Sequence, residues 1–164
     1  MKKFLHAFEN HLLQTRYLSL SANFALKDTS ECFADACNHI LNISLKESTN
    51  NAIKLHKICY VNVRELFGMS ANLAVRSIRR VAACLTKLKG KRKRPKKFVP
   101  KSIDYDARIF SYREKDETVS LNTTKGRIRI PMLLGEHQRR ALKGQNPTSA
   151  TVINKESTQK TFGL

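Results

Sequence analysis

The most constraining feature of this sequence is a run of basic residues that no continuous helix can cross. Between Lys87 and Lys101, nine of the fifteen residues are Lys or Arg and none is acidic. Gly90, Pro95 and Pro100 interrupt the run, and each proline lacks the N–H that a helix interior needs. Apolar residues recur at helical spacing before the run and alternate at strand spacing after it. The run therefore predicts an electropositive linker between a helical part and a β part.

The net charge indicates what kind of partner the chain has. The sequence has 164 residues, a formal charge of +18 and 41% hydrophobic residues, so it is long enough to bury a core. Such a surplus of positive charge exceeds an ordinary solubility margin and favours a polyanionic partner, which we expect to be RNA or DNA. An anionic membrane is the competing partner, but no apolar stretch of bilayer length occurs. Taken alone, the basic run also fits a solvated tether or a localisation signal.

The spacing of the cysteines does not predict a metal site. The spacing of Cys32, Cys37, Cys59 and Cys84 contains no C-x-x-C pair. We interpret them as reduced thiols that pack on helical faces, and we expect neither a metal nor a cofactor.

The N-terminal region predicts two elements. Residues 1–16 fit a short amphipathic helix; polar residues such as Glu9 interrupt its resemblance to a signal sequence, so we expect a cytoplasmic protein. Residues 17–27 alternate between apolar and polar side chains, which is typical of a half-buried strand.

Three helices are predicted before the basic run. Asp28 resembles the first residue of a capping box and opens the first helix. The second runs from about Asn51 to Phe67, with Gly68 at its C-terminus. Ser70 caps the third, which has an apolar face and an opposite cationic face. Because a solvated face normally mixes charges of both signs, the all-basic face favours a bound partner.

Short strands and one short helix are predicted after the run. Residues 108–113, 118–123 and 127–134 alternate at strand spacing, and Gly126 supplies the positive φ of a tight hairpin. Pro131 predicts that its strand lies at an edge or near an end. Residues 136–143 fit a short helix, and residues 150–154 fit a last strand.

Candidate contacts to nucleic acid lie on the third helix, in the basic run and on one strand. They are Asn72, Arg76, Arg79, Arg80, Lys87, Lys91, Arg92, Lys93, Arg94, Lys96, Lys97 and Arg127.

Catalytic motifs are not evident. Asp104 and Asp106 are the only close acid pair near the basic region, and we interpret them as turn or strand-start residues. No phosphate-binding loop, nucleophile elbow or kinase motif occurs. We therefore expect no enzyme, although a nuclease with a site that the sequence does not reveal stays open.

Several segments, in order, resemble the N-terminal half of the TnpB/OrfB family of transposon-encoded RNA-guided DNA endonucleases. The resemblance spans roughly residues 17–155. The matching segments are Ala36-Cys37-Asn38, Leu55-His56, Arg64 to Phe67, Ser70 to Arg76, Tyr105-Asp106-Ala107-Arg108 and Lys125-Gly126-Arg127-Ile128.

The resemblance implies an α+β fold, with a small antiparallel β-barrel-like wedge domain interrupted by a three-helix recognition lobe. It implies contacts to a guide RNA and to target DNA, with base pairing reading the sequence and the protein reading backbone and shape. The parts expected are an N-terminal extension (1–16), a first wedge strand (17–27), a helical lobe (28–90), a basic linker (91–101), the remaining wedge strands (102–155) and a tail (156–164).

The family's RuvC-like acids and zinc-binding cysteines have no counterpart in this sequence. We therefore expect a catalytically incomplete, truncated relative that binds nucleic acid. The alternative is a small regulator in which the second and third helices form a helix-turn-helix.

Overall fold

The structure, a computed structural model, describes residues 3–8, 11–15, 19–90 and 97–155. Lys91, Arg92, Lys93, Arg94 and Lys96 of the basic run lie outside the described residues, as does the tail at 156–164. The elements follow one another as β1 (Lys3–Phe8), β2 (His11–Thr15), α1 (Leu20–Lys46), α2 (Ala52–Phe67), α3 (Ala71–Leu88), β3 (Ser102–Asp106), β4 (Phe110–Arg113), β5 (Thr118–Thr123), β6 (Gly126–Leu133), α4 (Glu136–Leu142) and β7 (Ser149–Lys155).

The N-terminal region folds as a strand pair, so the prediction of a helix over residues 1–16 was wrong. Strands β1 and β2 are antiparallel, with Phe8 opposite His11. Each also pairs with a strand from the far end of the chain: β1 with β7 and β2 with β6. Apolar periodicity reports only local preference, and here the distant strand partners determine the structure.

The predicted strand over residues 17–27 was also wrong, because α1 begins at Leu20. Ser19 is the N-cap, and its hydroxyl accepts a hydrogen bond from the N–H of Ala22 at 3.2 Å. The alternation that suggested a strand depended on Leu20 and Phe24, which are 76% and 56% exposed. The buried face of this part of α1 instead carries small residues at helical spacing, with Ala22 and Ala25 one turn apart.

Asp28 lies inside α1 rather than at its start. Its carboxylate pairs with the ammonium of Lys125 in the β5–β6 turn. One residue further on, the buried hydroxyl of Thr29 donates to the carbonyl of Ala25 at 2.6 Å and accepts from the N–H of Thr124 at 3.1 Å. These contacts attach the first half of α1 to the hairpin, which explains why the helix extends through a segment with a weak apolar stripe.

The predictions of the second and third helices are confirmed. Asn51 is the N-cap of α2 and Gly68 ends that helix in the left-handed conformation at φ +58°. Residues 68–70 connect α2 to α3, and Ser70 is the N-cap of α3. The buried stripe of α2 is narrow: Leu55, Cys59 and Val63 are buried, whereas Ile58 and Leu66 are exposed.

The strands form two small antiparallel sheets that share β6. Their combined order is β3-β7-β1-β2-β6-β5-β4. The α+β class is confirmed, but the strands do not close into a barrel, because β3 and β4 are the two edges. Only residues 107–109 separate these edge strands along the chain. Ile109 at the end of this connection accepts a hydrogen bond from Asn122, so the chain pairs with β5 instead of returning along β3.

Strands β4 to β6 lie close to their predicted positions, and Gly126 has the predicted positive φ, at +107°. Asp104 and Asp106, which we interpreted as turn or strand-start residues, lie in the middle and at the end of β3, a strand that the alternation of apolar residues did not predict. Pro131 is opposite Thr118 of β5, at the last position of β6 before its pairing with β2 begins at Met132. The missing N–H of proline is tolerated at such a junction.

One contiguous core joins the three long helices to the sheet. It includes Leu26 of α1, Leu55 of α2, Ile78 of α3 and Tyr105 of β3, each at most 1% exposed. Cys37 lies in this core, and burial raises the pKa of its thiol to about 12, so the thiol is neutral at physiological pH. Burial likewise raises the pKa of the Cys59 and Cys32 thiols.

The two N-caps of α2 and α3 allow a matched test of helix capping. The Asn51 side chain accepts hydrogen bonds from the N–H groups of Ile53 and Lys54, at 2.9 and 3.1 Å. The buried Ser70 hydroxyl has no hydrogen-bond partner among the described residues. We expect Asn51→Ala to lower the free energy of unfolding by about 1 kcal/mol and Ser70→Ala to change it by less than half of that. Urea denaturation measures both, and equal losses would contradict the assignment of the caps.

Candidate nucleic-acid interface

The third helix divides into a buried face and an outward face, as its sequence predicted. Ile78 and Val81 are buried in the core, whereas Arg79 and Lys87 are exposed. Asn72 and Arg76 lie on the outward side and are half-buried. The Nε of Arg76 is buried and has no hydrogen-bond partner within the described part of the chain. The outward face of α3 is therefore cationic.

Arg80, a predicted contact residue, lines the edge of α3 toward β3 and forms several contacts within the protein. Its Nε donates to Oδ2 of Asp104 at 2.8 Å, and its Nη2 lies 2.7 Å from Oδ1 of the same carboxylate. Its Nη1 donates to the carbonyl of Ser102 at 2.7 Å. The guanidinium also lies over the ring of Phe33, with 4.9 Å from Cζ to the ring centroid. All three guanidinium nitrogens are thus engaged inside the protein.

An open groove lies between the last turns of α3 and the segment that enters β3. It has a volume of about 570 Å³. Its exposed lysines are Lys87 on the helix and Lys97 and Lys101 on the opposite segment. Asp104 is the only acid among the described residues that line it, and the ion pair with Arg80 neutralises that carboxylate. The groove therefore presents uncompensated positive charge; we call it the lysine groove.

The side chain of Asn38 fixes one wall of the lysine groove. Its Nδ2 donates to the carbonyl of Phe98 at 3.0 Å, and its Oδ1 accepts from the N–H of Phe98 at 2.7 Å. This pair of bonds attaches the C-terminal part of the basic run to α1. The basic run begins at Lys87 and ends at Lys101, and both of these residues line the groove. The basic run consequently begins and ends beside the groove.

Arg127 lies away from the lysine groove. It is on β6, where its Nε donates to the hydroxyl of Ser120 on β5 at 2.8 Å. Arg113 and Arg129 lie beside it on the same sheet face. Neither was singled out from the sequence, nor was Lys101. Arg129 could have been found, because residues two apart on a strand point to the same side as each other.

Among the described residues, no group of three His, Cys, Asp or Glu side chains is arranged to hold a metal ion. In the same part of the chain, none of the helices has the length and hydropathy that crossing a bilayer requires.

Comparisons with known proteins found no match: no protein-family model, no curated protein and no solved structure is significantly similar to this chain. The resemblance to the TnpB/OrfB family accordingly stays a prediction from the sequence.

The neighbours Arg79 and Arg80 should differ in how much each contributes to stability. We expect Arg80→Ala to lower the free energy of unfolding by about 2 kcal/mol, because it leaves a partly buried carboxylate and a carbonyl without their donor. Arg80→Lys should rescue little, since an ammonium cannot form the bidentate pair. Arg79→Ala should leave stability within about 0.5 kcal/mol, because its side chain is exposed. Denaturant titration of the three variants measures this, and an unaltered Arg80→Ala protein would refute the structural role.

Proposed function

We propose that this chain is a non-catalytic nucleic-acid-binding protein that holds RNA or DNA through the phosphate backbone. The observation that carries the proposal is the lysine groove, which lies at both ends of the basic run. Its three exposed lysines have no ion-pair partner among the described residues. Lysine ammonium groups bind phosphates as point charges and require no particular base sequence. We therefore assign the groove and the basic run together as the main site of phosphate contact.

The outward face of α3 extends this site. Lys87 belongs to the lysine groove, while Arg79 and Arg76 continue the cationic side of the same helix toward its N-terminus. A rigid helix holds these side chains at fixed spacing, so this face is suited to following the shape of a nucleic acid as well as its charge.

The contacts of Asp104 and Asp106 argue against a metal-binding role for this acid pair. Asp104 accepts from Arg80 and from the Thr151 hydroxyl, the latter at 3.2 Å. Asp106 accepts from the N–H of Arg108 at 3.0 Å, which is a turn contact. Carboxylates that are held in this way are poor candidates for binding a catalytic metal.

We further propose that the chain is a catalytically incomplete relative of the TnpB/OrfB proteins, located in the cytoplasm, whose ligands are a guide RNA and its target DNA. The order of the elements supports this: three helices, then the basic run, then antiparallel strands. Asn38, which fixes the end of the basic run, lies in one of the segments that carry the resemblance.

A helix-turn-helix regulator is the second candidate. It is favoured by the three-residue connection between α2 and α3 and by the cationic outward face of α3. In such regulators the second helix enters the major groove of duplex DNA and its N-terminal residues contact base edges. Asn72 and Arg76 occupy that part of α3.

A competition experiment distinguishes the two candidates. Labelled structured RNA is bound to the purified chain and then displaced by unlabelled RNA–DNA heteroduplex or by unlabelled duplex DNA of random sequence. If the chain is a relative of the TnpB/OrfB proteins, RNA and heteroduplex should compete at least tenfold better than duplex DNA, because its proposed ligands are a guide RNA and the heteroduplex that this RNA forms with target DNA. A clear preference for duplex DNA, with Asn72→Ala changing its sequence selectivity, would support the regulator instead.

Salt dependence tests the site of phosphate contact. Each neutralised phosphate releases condensed counterions, so about six contacts to single-stranded RNA should give a log–log slope of about −4. We expect Lys87→Gln, Lys97→Gln and Lys101→Gln, combined in one protein, to reduce the steepness of that slope by about 2. The combined Arg92→Ala, Lys93→Ala and Arg94→Ala protein should show a similar reduction. Fluorescence anisotropy between 50 and 200 mM salt measures the slopes.

The matched control removes three other exposed lysines, with Lys46→Gln, Lys54→Gln and Lys115→Gln in one protein. It has the same net charge as the groove variant, so it corrects for long-range electrostatics. If the control flattens the slope as much as the groove variant does, the lysine groove is not the contact site. If the unaltered chain binds no nucleic acid at 50 mM salt, the proposed function is wrong.

A further inference from the structure

The outer face of β4, β5 and β6 is polar and cationic. Residues alternate across these strands, so Val119 and Leu121 of β5 are buried while Ser120 between them points outward. On β6, Ile130 is buried and its neighbour Arg129 is exposed. We call this outer surface the arginine face; its lining residues are Ser111, Arg113, Thr118, Ser120, Arg127 and Arg129.

Strand register brings the three arginines into one shallow depression. Ser120 of β5 is opposite both Ser111 of β4 and Arg129 of β6, which puts a row of three outward side chains across the sheet. Arg113 and Arg127 lie on either side of this row. The depression has a volume of about 420 Å³, and none of the residues that line it is acidic.

Hydroxyl groups orient Arg127 without neutralising it. Its Nε donates to Ser120 Oγ at 2.8 Å and its Nη2 to Ser111 Oγ at 3.4 Å, so the side chain of Arg127 on β6 contacts both β5 and β4. Arg129 forms no ion pair within the described residues. Arg113 is 3.2 Å from Asp116, but both side chains are exposed, and a pair of that kind contributes little and yields readily to another anion.

A solvent-exposed sheet face ordinarily carries charges of both signs. Here the residues that line the depression are arginine, serine and threonine only, without the large apolar side chains that anchor protein interfaces or insert into membranes. Planar guanidinium groups next to hydroxyls match phosphate oxygens, which accept several hydrogen bonds at once.

We propose that the arginine face is a second contact surface for the phosphodiester backbone of the bound nucleic acid, separate from the lysine groove. This inference rests on the proposed function. The two surfaces share no residue: one is formed by α3 and the entry to β3, and the other by β4 to β6. Since one ligand that reaches both surfaces gains from multivalency, binding strength should increase with ligand length beyond what either surface provides.

The test replaces all three arginines, with Arg113→Gln, Arg127→Gln and Arg129→Gln in one protein. The probes are single-stranded RNAs of about 10 and about 40 nucleotides. These lengths are chosen because one binding surface contacts only a few nucleotides of a single strand. We expect the affinity for the long RNA to fall at least tenfold and its salt slope to flatten by about 2. The short RNA, which can still occupy the lysine groove, should lose less than threefold.

The control protein with Lys46→Gln, Lys54→Gln and Lys115→Gln removes the same charge elsewhere. Its loss of affinity for the long RNA, on a logarithmic scale, should be less than half of the loss in the triple arginine variant. A single Arg129→Gln variant keeps the proposal testable if the triple variant does not fold, since Arg129 has no ion pair in the described structure. This single change should flatten the slope for the long RNA by about 0.7.

The outcomes separate the two proposals. If the unaltered chain binds RNA but the arginine variants keep its full affinity and slope for the long RNA, the second surface is refuted and the proposed function stands. If the lysine control weakens long-RNA binding as much as the arginine variant, the effect is one of net charge and the second surface is again refuted. If the unaltered chain binds neither RNA nor DNA, the proposed function itself fails.

Discussion

The position of the helices against the sheet depends on the guanidinium group of Arg80. It stacks on Phe33 of α1, forms a bidentate pair with Asp104 of β3 and donates to the carbonyl of Ser102. Asp104 in turn accepts a hydrogen bond from Thr151 of β7. The two charged side chains are 18% and 26% exposed, so water screens the pair only partly. Lysine could not substitute, because only a planar fork satisfies a carboxylate and a carbonyl while stacking on a ring.

The same arrangement shapes the lysine groove. Arg80 holds the start of β3 against α3, and Asn38 holds Phe98 against α1, so both walls of the groove are attached to helices. Neighbouring arginines of α3 thereby have different functions. A rotation of about 100° per residue turns Arg80 toward the sheet and leaves Arg79 in solvent. One positive charge of the helix, on Arg80, pairs with Asp104 inside the protein, and the charge of Arg79 faces outward.

Local signals in the sequence sufficed for α2, α3 and the hairpin of β5 and β6. These elements have strong boundary residues, such as Asn51, Gly68 and Gly126, whose conformational preferences do not depend on distant partners. The prediction of secondary structure in the N-terminal region failed for the opposite reason. Strand β1 is stabilised by pairing with β7, and the start of α1 by contacts to the turn at Thr124, neither of which periodicity can reveal.

The candidate site was predictable in the same uneven way. The cationic side of α3 follows from helical spacing. Lys87 and Lys97, both candidate contacts from the sequence, line the same groove. The internal role of Arg80 was not predictable, because Asp104 lies on a strand 24 residues away and the ion pair exists only in the folded chain. The convergence of Arg113 with Arg127 and Arg129 likewise required the register of three strands.

The position of β1 has a consequence for the order of folding. Strand β1 pairs with β7, with Lys3 opposite Lys155, so β1 cannot complete its pairing until the much later β7 has been synthesised. Among the described strands, the β1–β2 hairpin is the connection between the β3–β7 pair and the β4–β6 group. Closing so long a loop is slow, whereas contacts among α1, α2 and α3 are closer in sequence and can form on a partly made chain. The three helices can then assemble before β7 has been synthesised, and the sheet becomes continuous only once β7 pairs with β1.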